Sequence, residues 1–183
     1  RVTHRIKAEV DRLNELINVT LEIGWDRAAD WDWVHIEELI REVCHLWSAE
    51  FDRLEIDSRI YVEEGIPAIQ GNRKLLQRAL TNLVLNAVEA MPEGGELCLA
   101  AYEEVEGSSV RIEVTDTGPG IPGELRDQLF QEFVTTKPRE TRLGLMIVHQ
   151  IITEIHRGQI WFETISGEGT RFLMRLPVIR IQQ

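Results

Sequence analysis

Asn82 and Asn86 stand four residues apart in the stretch TNLVLNAVEAM, and Glu89 follows seven residues after Asn82. On a helix these three share one face, while Leu83, Val84, Ala87 and Val88 make the other side apolar. A polar row on a core-packed helix is costly unless it meets a ligand cavity or bulk water. The residues alone leave both options open. Amide oxygens are hard, neutral ligands, suited to a Mg²⁺ that also holds phosphate oxygens and water. Further along, Asp116 opens DTGPG after an apolar strand pattern. A carboxylate at a strand end can accept a hydrogen bond from a base amine, and Gly118 and Gly120 let the backbone turn sharply beside a ligand. The loop VTTKP offers Thr136 and Lys137 to phosphate oxygens. Gly144 precedes a helical pattern, and the start of a helix presents free N–H groups to an anion. GEGTRF, residues 167–172, reads as a hairpin turn containing Thr170.

These residues need elements to hold them. Helical spacing marks 36–50 (Ile36, Leu39, Ile40, Val43, Leu46, Trp47), 72–91 and 145–155. Residues 54–62, 96–102, 110–115, 158–165 and 171–178 read as strands, with a short first strand near 33–36 and a short helix near 124–130. Ile6, Val10, Leu13 and Ile17 put a narrow apolar seam on a helix over 4–23, suited to a bundle or dimer contact or to packing on its own domain. An acidic, tryptophan-rich linker follows it. The expected organisation is therefore 1–23 helix, 24–33 linker and 34–183 one α+β domain.

The chain has 183 residues, 43% hydrophobic and 28% charged, which excludes a disordered chain and a disulfide-stapled miniprotein. Its net charge of −11 speaks against a nucleic-acid partner. Cys44 and Cys98 lie in apolar contexts without metal-type spacing and read as free thiols in a reducing, cytoplasmic setting. No apolar run reaches the length of a membrane span, so no membrane contact is expected of these residues, although an anchor elsewhere in a longer protein is compatible with them.

In this order the five motifs resemble the ATP-binding domain of sensor histidine kinases, in the wider GHKL group with gyrase, Hsp90 and MutL. NLVLNAVEAMPEGGEL is similar to the family's N box and DTGPGIP to its G1 box. LFQEFVTTK resembles the F box of nitrogen-regulation-type kinases, and GEGTRF the last glycine box. The likeness spans residues 30–178, and residues 1–23 resemble the second helix of the dimerisation hairpin. It implies a two-layer α/β sandwich with a mixed sheet and helices on one face. It implies ATP and Mg²⁺ as ligands, a response regulator receiver domain as partner, and a homodimer in the full-length protein. Asn86 is then the Mg²⁺ ligand, with Asn82 and Glu89 beside it. Asp116 takes the adenine amine, Gly118 and Gly120 form the hinge where the lid over ATP begins, and Ile121 belongs to the nucleotide-binding set. Thr136, Lys137, Gly144 and a helix start at Leu145 reach phosphate oxygens, Leu143 belongs to the nucleotide-binding set, and Thr170 supports the adenine end. Gyrase-like members carry Glu at the Asn82 position. An amide cannot take a proton from water at neutral pH, so this pocket suits transfer to a histidine over hydrolysis.

Two departures stand out. The family's lid motif Gly-Thr-Gly-Leu-Gly-Leu reads Glu140-Thr141-Arg142-Leu143-Gly144-Leu145 here, which keeps one glycine of three. An alternative reading is thus a degenerate domain that binds partners without turning ATP over. None of His4, His35, His45, His149 and His156 has the family's acceptor context, which places the acceptor upstream. His156-Arg157-Gly158 matches a structural His-Gly-Gly at a helix end.

Overall fold

The structure, a computed structural model, describes residues 31–104, 108–126 and 140–178. The expected helix over 4–23, the loop VTTKP and most of the helix near 124–130 lie outside the described residues. The chain divides into Arg1–Trp31 and Asp32–Gln183, and the second unit holds the elements that follow.

Five strands make one mixed sheet in the order β2 (Ile56–Val62), β4 (Gly95–Glu104), β5 (Ser109–Asp116), β7 (Gly169–Pro177), β6 (Gln159–Ile165). β2 runs parallel to β4, and every other pairing is antiparallel. β1 (Trp31–Val34) and β3 (Ile69–Asn72) form a separate two-stranded ribbon. Two long helices, α1 (Ile36–Arg53) and α2 (Arg73–Ala90), pack on one face of the sheet together with α4 (Glu140–His149) and a π-helical segment, Gln150–Ile155; α3 is a single turn, Gly123–Arg126. This is the α+β sandwich expected from the motifs. Among the described residues no helix is long and apolar enough to cross a membrane.

Alternation along the strands builds the core. Leu97, Leu99 and Ala101 of β4, Val110, Ile112 and Val114 of β5, and Phe172, Met174 and Leu176 of β7 turn inward and are buried. α2 buries Leu75, Leu76, Ala79, Leu80, Leu83, Val84, Ala87 and Val88 against them, the full apolar side read from its spacing. Each such leucine contributes about 1.5–3 kcal/mol by leaving water. Asn72 caps α2, its Oδ1 accepting from Leu75 N at 3.1 Å.

Among the described residues the opposite face of the sheet carries no helix and is closed by charges and rings. Arg111 pairs with Glu113 at 2.8 Å and with Glu104 at 3.1 Å. Its guanidinium lies 5.0 Å from the Tyr102 ring centre, within reach of the negative face of the ring. Arg175 binds Glu104 and stacks 5.2 Å from the Trp161 ring centre.

Several boundaries differ from the spacing-based expectation. The first strand ends at Val34, where His35 hands over to α1. α1 continues to Arg53, takes Leu54 as its C-cap and buries Cys44 and Phe51, leaving Leu46 63% exposed. β3, only four residues long, has no period to reveal it. The largest shift is at α4, which begins at Glu140 instead of Leu145. Glu140 and Arg142 favour a helix by roughly 0.5–1 kcal/mol each over the glycines of the family motif, and so extend it. At its far end the π segment closes with His156 N–H bonded to Ile151 O at 3.1 Å, and Arg157 adopts a left-handed φ of 56°.

Candidate nucleotide site

α2 provides one wall. Asn82 and Asn86 are half-buried, and the Nδ2 of each is buried with no hydrogen-bond partner. An orphaned amide donor is destabilising by about 1–3 kcal/mol, so two of them on one helix face mark a place that awaits an acceptor. Glu89, on the same row, is exposed. α4 faces this wall: a Cβ added to Gly144 would sit 3.4 Å from Asn82 Oδ1. Only a glycine leaves that strip of α4 backbone bare beside the amide. Leu145, next along, is buried.

The end of β5 provides the second wall. Asp116 is 5% exposed, and its Oδ1 accepts from Gly118 N at 2.9 Å, which locks the carboxylate at the start of the turn. A Cβ at Gly118 would come within 2.9 Å of both Asp116 Oδ1 and the Ala90 side chain at the end of α2. Gly118 thus lets the loop touch the helix that carries the asparagines. Gly120 has a φ of 73°, a conformation that favours glycine. A side chain there would overlap the Ile165 carbonyl. Ile121 is buried. Thr170 is the register partner of Asp116 across β5 and β7 and is 7% exposed.

The structure therefore gathers Asn82 with Gly144, and Asp116 with Gly118 and Thr170, around the C-terminal half of α2. Thr136 and Lys137 lie outside the described residues. Leu143 belongs to the first turns of α4. In an α-helix beginning at Glu140, the N–H groups of Gly144 and Leu145 are bonded to carbonyls four residues back; the free donors are in the first turn. The expected helix start at Leu145 is corrected accordingly.

Thr164 of β6 was not legible beforehand. Its Oγ1 accepts from Ile121 N at 2.8 Å, donates to Gly169 O at 2.9 Å and lies 3.2 Å from Thr170 Oγ1. A single threonine in a strand has no spacing signature. His156 proves structural: Asn72 N donates to its Nε2 at 3.0 Å, and its Nδ1 lies 2.8 Å from Ile151 O. Burial pushes its pKa below the ordinary histidine range, opposed in part by that carbonyl. Burial likewise pushes the Cys44 thiol up to about 11, so it stays protonated, while Cys98 is half-buried on the open sheet face.

A mixed sheet with helices on one face, unpartnered amides on α2 and a buried aspartate at a strand end define a nucleotide-binding sandwich of the ATPase type. Residues 71–180 match the family described as histidine kinase-, DNA gyrase B- and HSP90-like ATPase, and the chain belongs to that family. It is 35% identical over 170 residues to the sensor histidine kinase ZraS of Escherichia coli (strain K12), covering 93% of this chain and 36% of that protein. It is 30% identical over 173 residues to sporulation kinase E of Bacillus subtilis (strain 168), covering 94% of this chain and 23% of that one. The chain thus spans about a third or less of these relatives. Among solved structures, the catalytic domain of histidine kinase ThkA superposes with a TM-score of 0.73 at 33% identity, covering 81% of this chain and 96% of that chain. ThkA in complex with the response regulator protein TrrA gives a TM-score of 0.74 at 31% identity, over 95% of this chain and 49% of that one.

Proposed function

We propose that this chain is the catalytic, ATP-binding part of a two-component sensor histidine kinase, and that it delivers the γ-phosphoryl group of ATP to a histidine upstream of residue 1. The observation that carries this reading is the pair of orphaned amides, Asn82 and Asn86, on one face of α2, with Asn82 set against the bare backbone of Gly144 in α4. Amide oxygens fit a hard cation held jointly with phosphate oxygens and water, and the unpartnered Nδ2 groups fit phosphate or water oxygens. Mg²⁺, when bound, neutralises charge on the transferring phosphoryl group. Asn86 ligates it, with Asn82 and Glu89 beside it. Asp116 accepts from the adenine amine, and Thr170, its partner across the strands, supports that end. Gly118, Gly120 and Ile121 shape the hinge. The first turn of α4, through Leu143, offers N–H groups to phosphate oxygens, and Gly144 and Leu145 keep the backbone against Asn82. Thr136 and Lys137 add a hydroxyl and a cation from the lid. Asn82 offers an amide, which cannot take a proton from water at neutral pH, and this favours holding ATP for transfer.

Residues 1–23 are assigned to the dimerisation hairpin, 24–33 to a linker and 34–183 to the catalytic domain. A homodimer, a receiver-domain partner and a cytoplasmic location follow from the same reading. The helical start at Glu140, in place of two lid glycines, favours a second reading in which nucleotide is held weakly and the domain serves chiefly to bind partners. Labelling with γ-³²P-ATP separates the two. This chain alone takes no acid-labile, base-stable label, whereas the chain extended upstream through its acceptor takes label with wild-type residues and loses it with Asn86→Asp. Label on His4 or His45 of the chain alone contradicts an upstream acceptor.

A further inference from the structure

Beyond its internal bond from Gly118 N to Asp116 Oδ1, the turn that carries Asp116, Gly118 and Gly120 is held from outside. It lies on the β6–β7 hairpin, backbone against backbone. Gly167 N donates to Pro119 O at 2.8 Å. A side chain at Gly120 would overlap the Ile165 carbonyl, and one at Gly169 would overlap the Asp116 carbonyl. Between these contacts stands one side chain with three polar neighbours. Thr164 Oγ1 accepts from Ile121 N at 2.8 Å, donates to Gly169 O at 2.9 Å and lies 3.2 Å from Thr170 Oγ1. With its single proton given to Gly169, Thr164 is left as the acceptor for Ile121 and for the Thr170 hydroxyl.

We infer that Thr164 is a positioning residue for base recognition: it fixes the lid hinge at Ile121, the hairpin glycine under Asp116 and the hydroxyl of Thr170 in one arrangement. It acts through those three groups. The inference rests on the nucleotide site proposed above. Valine keeps the shape of threonine and removes the oxygen, so Ile121 N, in a part-buried place, loses its acceptor. Serine keeps the oxygen and loses a methyl group. Thr164 is half-buried on an edge strand, so these changes spare the core.

The test is calorimetric titration of the whole chain with Mg·ATP and with Mg·GTP, on wild type, Thr164→Val, Thr164→Ala and Thr164→Ser, with urea unfolding of each to establish that the titrated protein is folded. The expected result is ATP binding weakened roughly five- to tenfold in the valine and alanine variants, a narrower preference for ATP over GTP, and recovery of both in the serine variant. A role confined to strand stability lowers the urea midpoint and leaves the dissociation constant and the base preference unchanged, and that outcome overturns the inference. Wild-type protein that binds neither nucleotide overturns the site itself and this inference with it, a result distinguishable from the first because it appears before any variant is measured.

Discussion

The places of Asn82 and Asn86 on one helix face and of Asp116 at a strand end were legible in the sequence because each combines a polar type with a position that an apolar pattern fixes. The asparagines interrupt a helix whose other side is all buried, and Asp116 ends a strand whose alternate residues are buried. His156 carries no such contrast of pattern, yet it joins the start of α2 to the end of the π segment through Asn72 N and Ile151 O. Its effect is on stability, and the sign follows from its burial. The folded chain holds His156 neutral below the pH at which an unfolded histidine, with a pKa of about 6.5, takes up a proton. The unfolded state then binds more protons, so the contribution is complete above about pH 6.5 and is lost as pH falls through the depressed folded pKa. Thermal midpoints measured from pH 8 to pH 5 fall below pH 6.5 in the wild type, and the fall is shallower in His156→Gln. Equal slopes place the titration elsewhere.

Elements with a strong period were legible to within a few residues, and those without one were not. α2 follows its apolar spacing throughout, whereas β3 is too short to show alternation. The start of α4 was misplaced because Gly144 reads as an entry signal, while Glu140 and Arg142 before it favour helix. Gly144→Ala is expected to raise stability by about 0.5–1 kcal/mol through helix propensity. It should also weaken Mg·ATP binding, since the new methyl group stands 3.4 Å from Asn82 Oδ1. Urea midpoints and titration calorimetry check the two halves; unchanged affinity removes Gly144 from the site. Arg157 shows the opposite economy, a non-glycine residue in the left-handed region. Such a residue is strained by roughly 1–2 kcal/mol, offset in part by glycine's backbone entropy in the unfolded chain. Arg157→Gly should therefore raise the urea midpoint without changing the slope of the transition. A lowered midpoint shows that the arginine side chain contributes more than the strain it imposes.

The whole molecule divides its labour between the two faces of one sheet. The helical face supplies the core and brings the end of α2 against the turn after β5, with α4 packed beside α2, while the open face is closed by Arg111, Glu113, Glu104 and Arg175. Removing core volume and removing site chemistry should thus have different consequences. Leu83→Ala, at a fully buried position, is expected to cost about 2–5 kcal/mol and to unfold a marginal domain. Changes to the half-buried Asn86 or to the strand-end Asp116 leave that packing intact. The central claim is that nucleotide is held between the amides of α2 and the carboxylate at the end of β5. Titration calorimetry of Mg·ATP into wild type, Asn86→Asp and Asp116→Asn, each first shown to be folded by its unfolding midpoint, tests it directly. The account predicts measurable binding by the wild type and a loss of roughly tenfold or more in each variant, the scale of a hydrogen bond or ligand bond to a charged group. Unchanged affinity in both folded variants would contradict it.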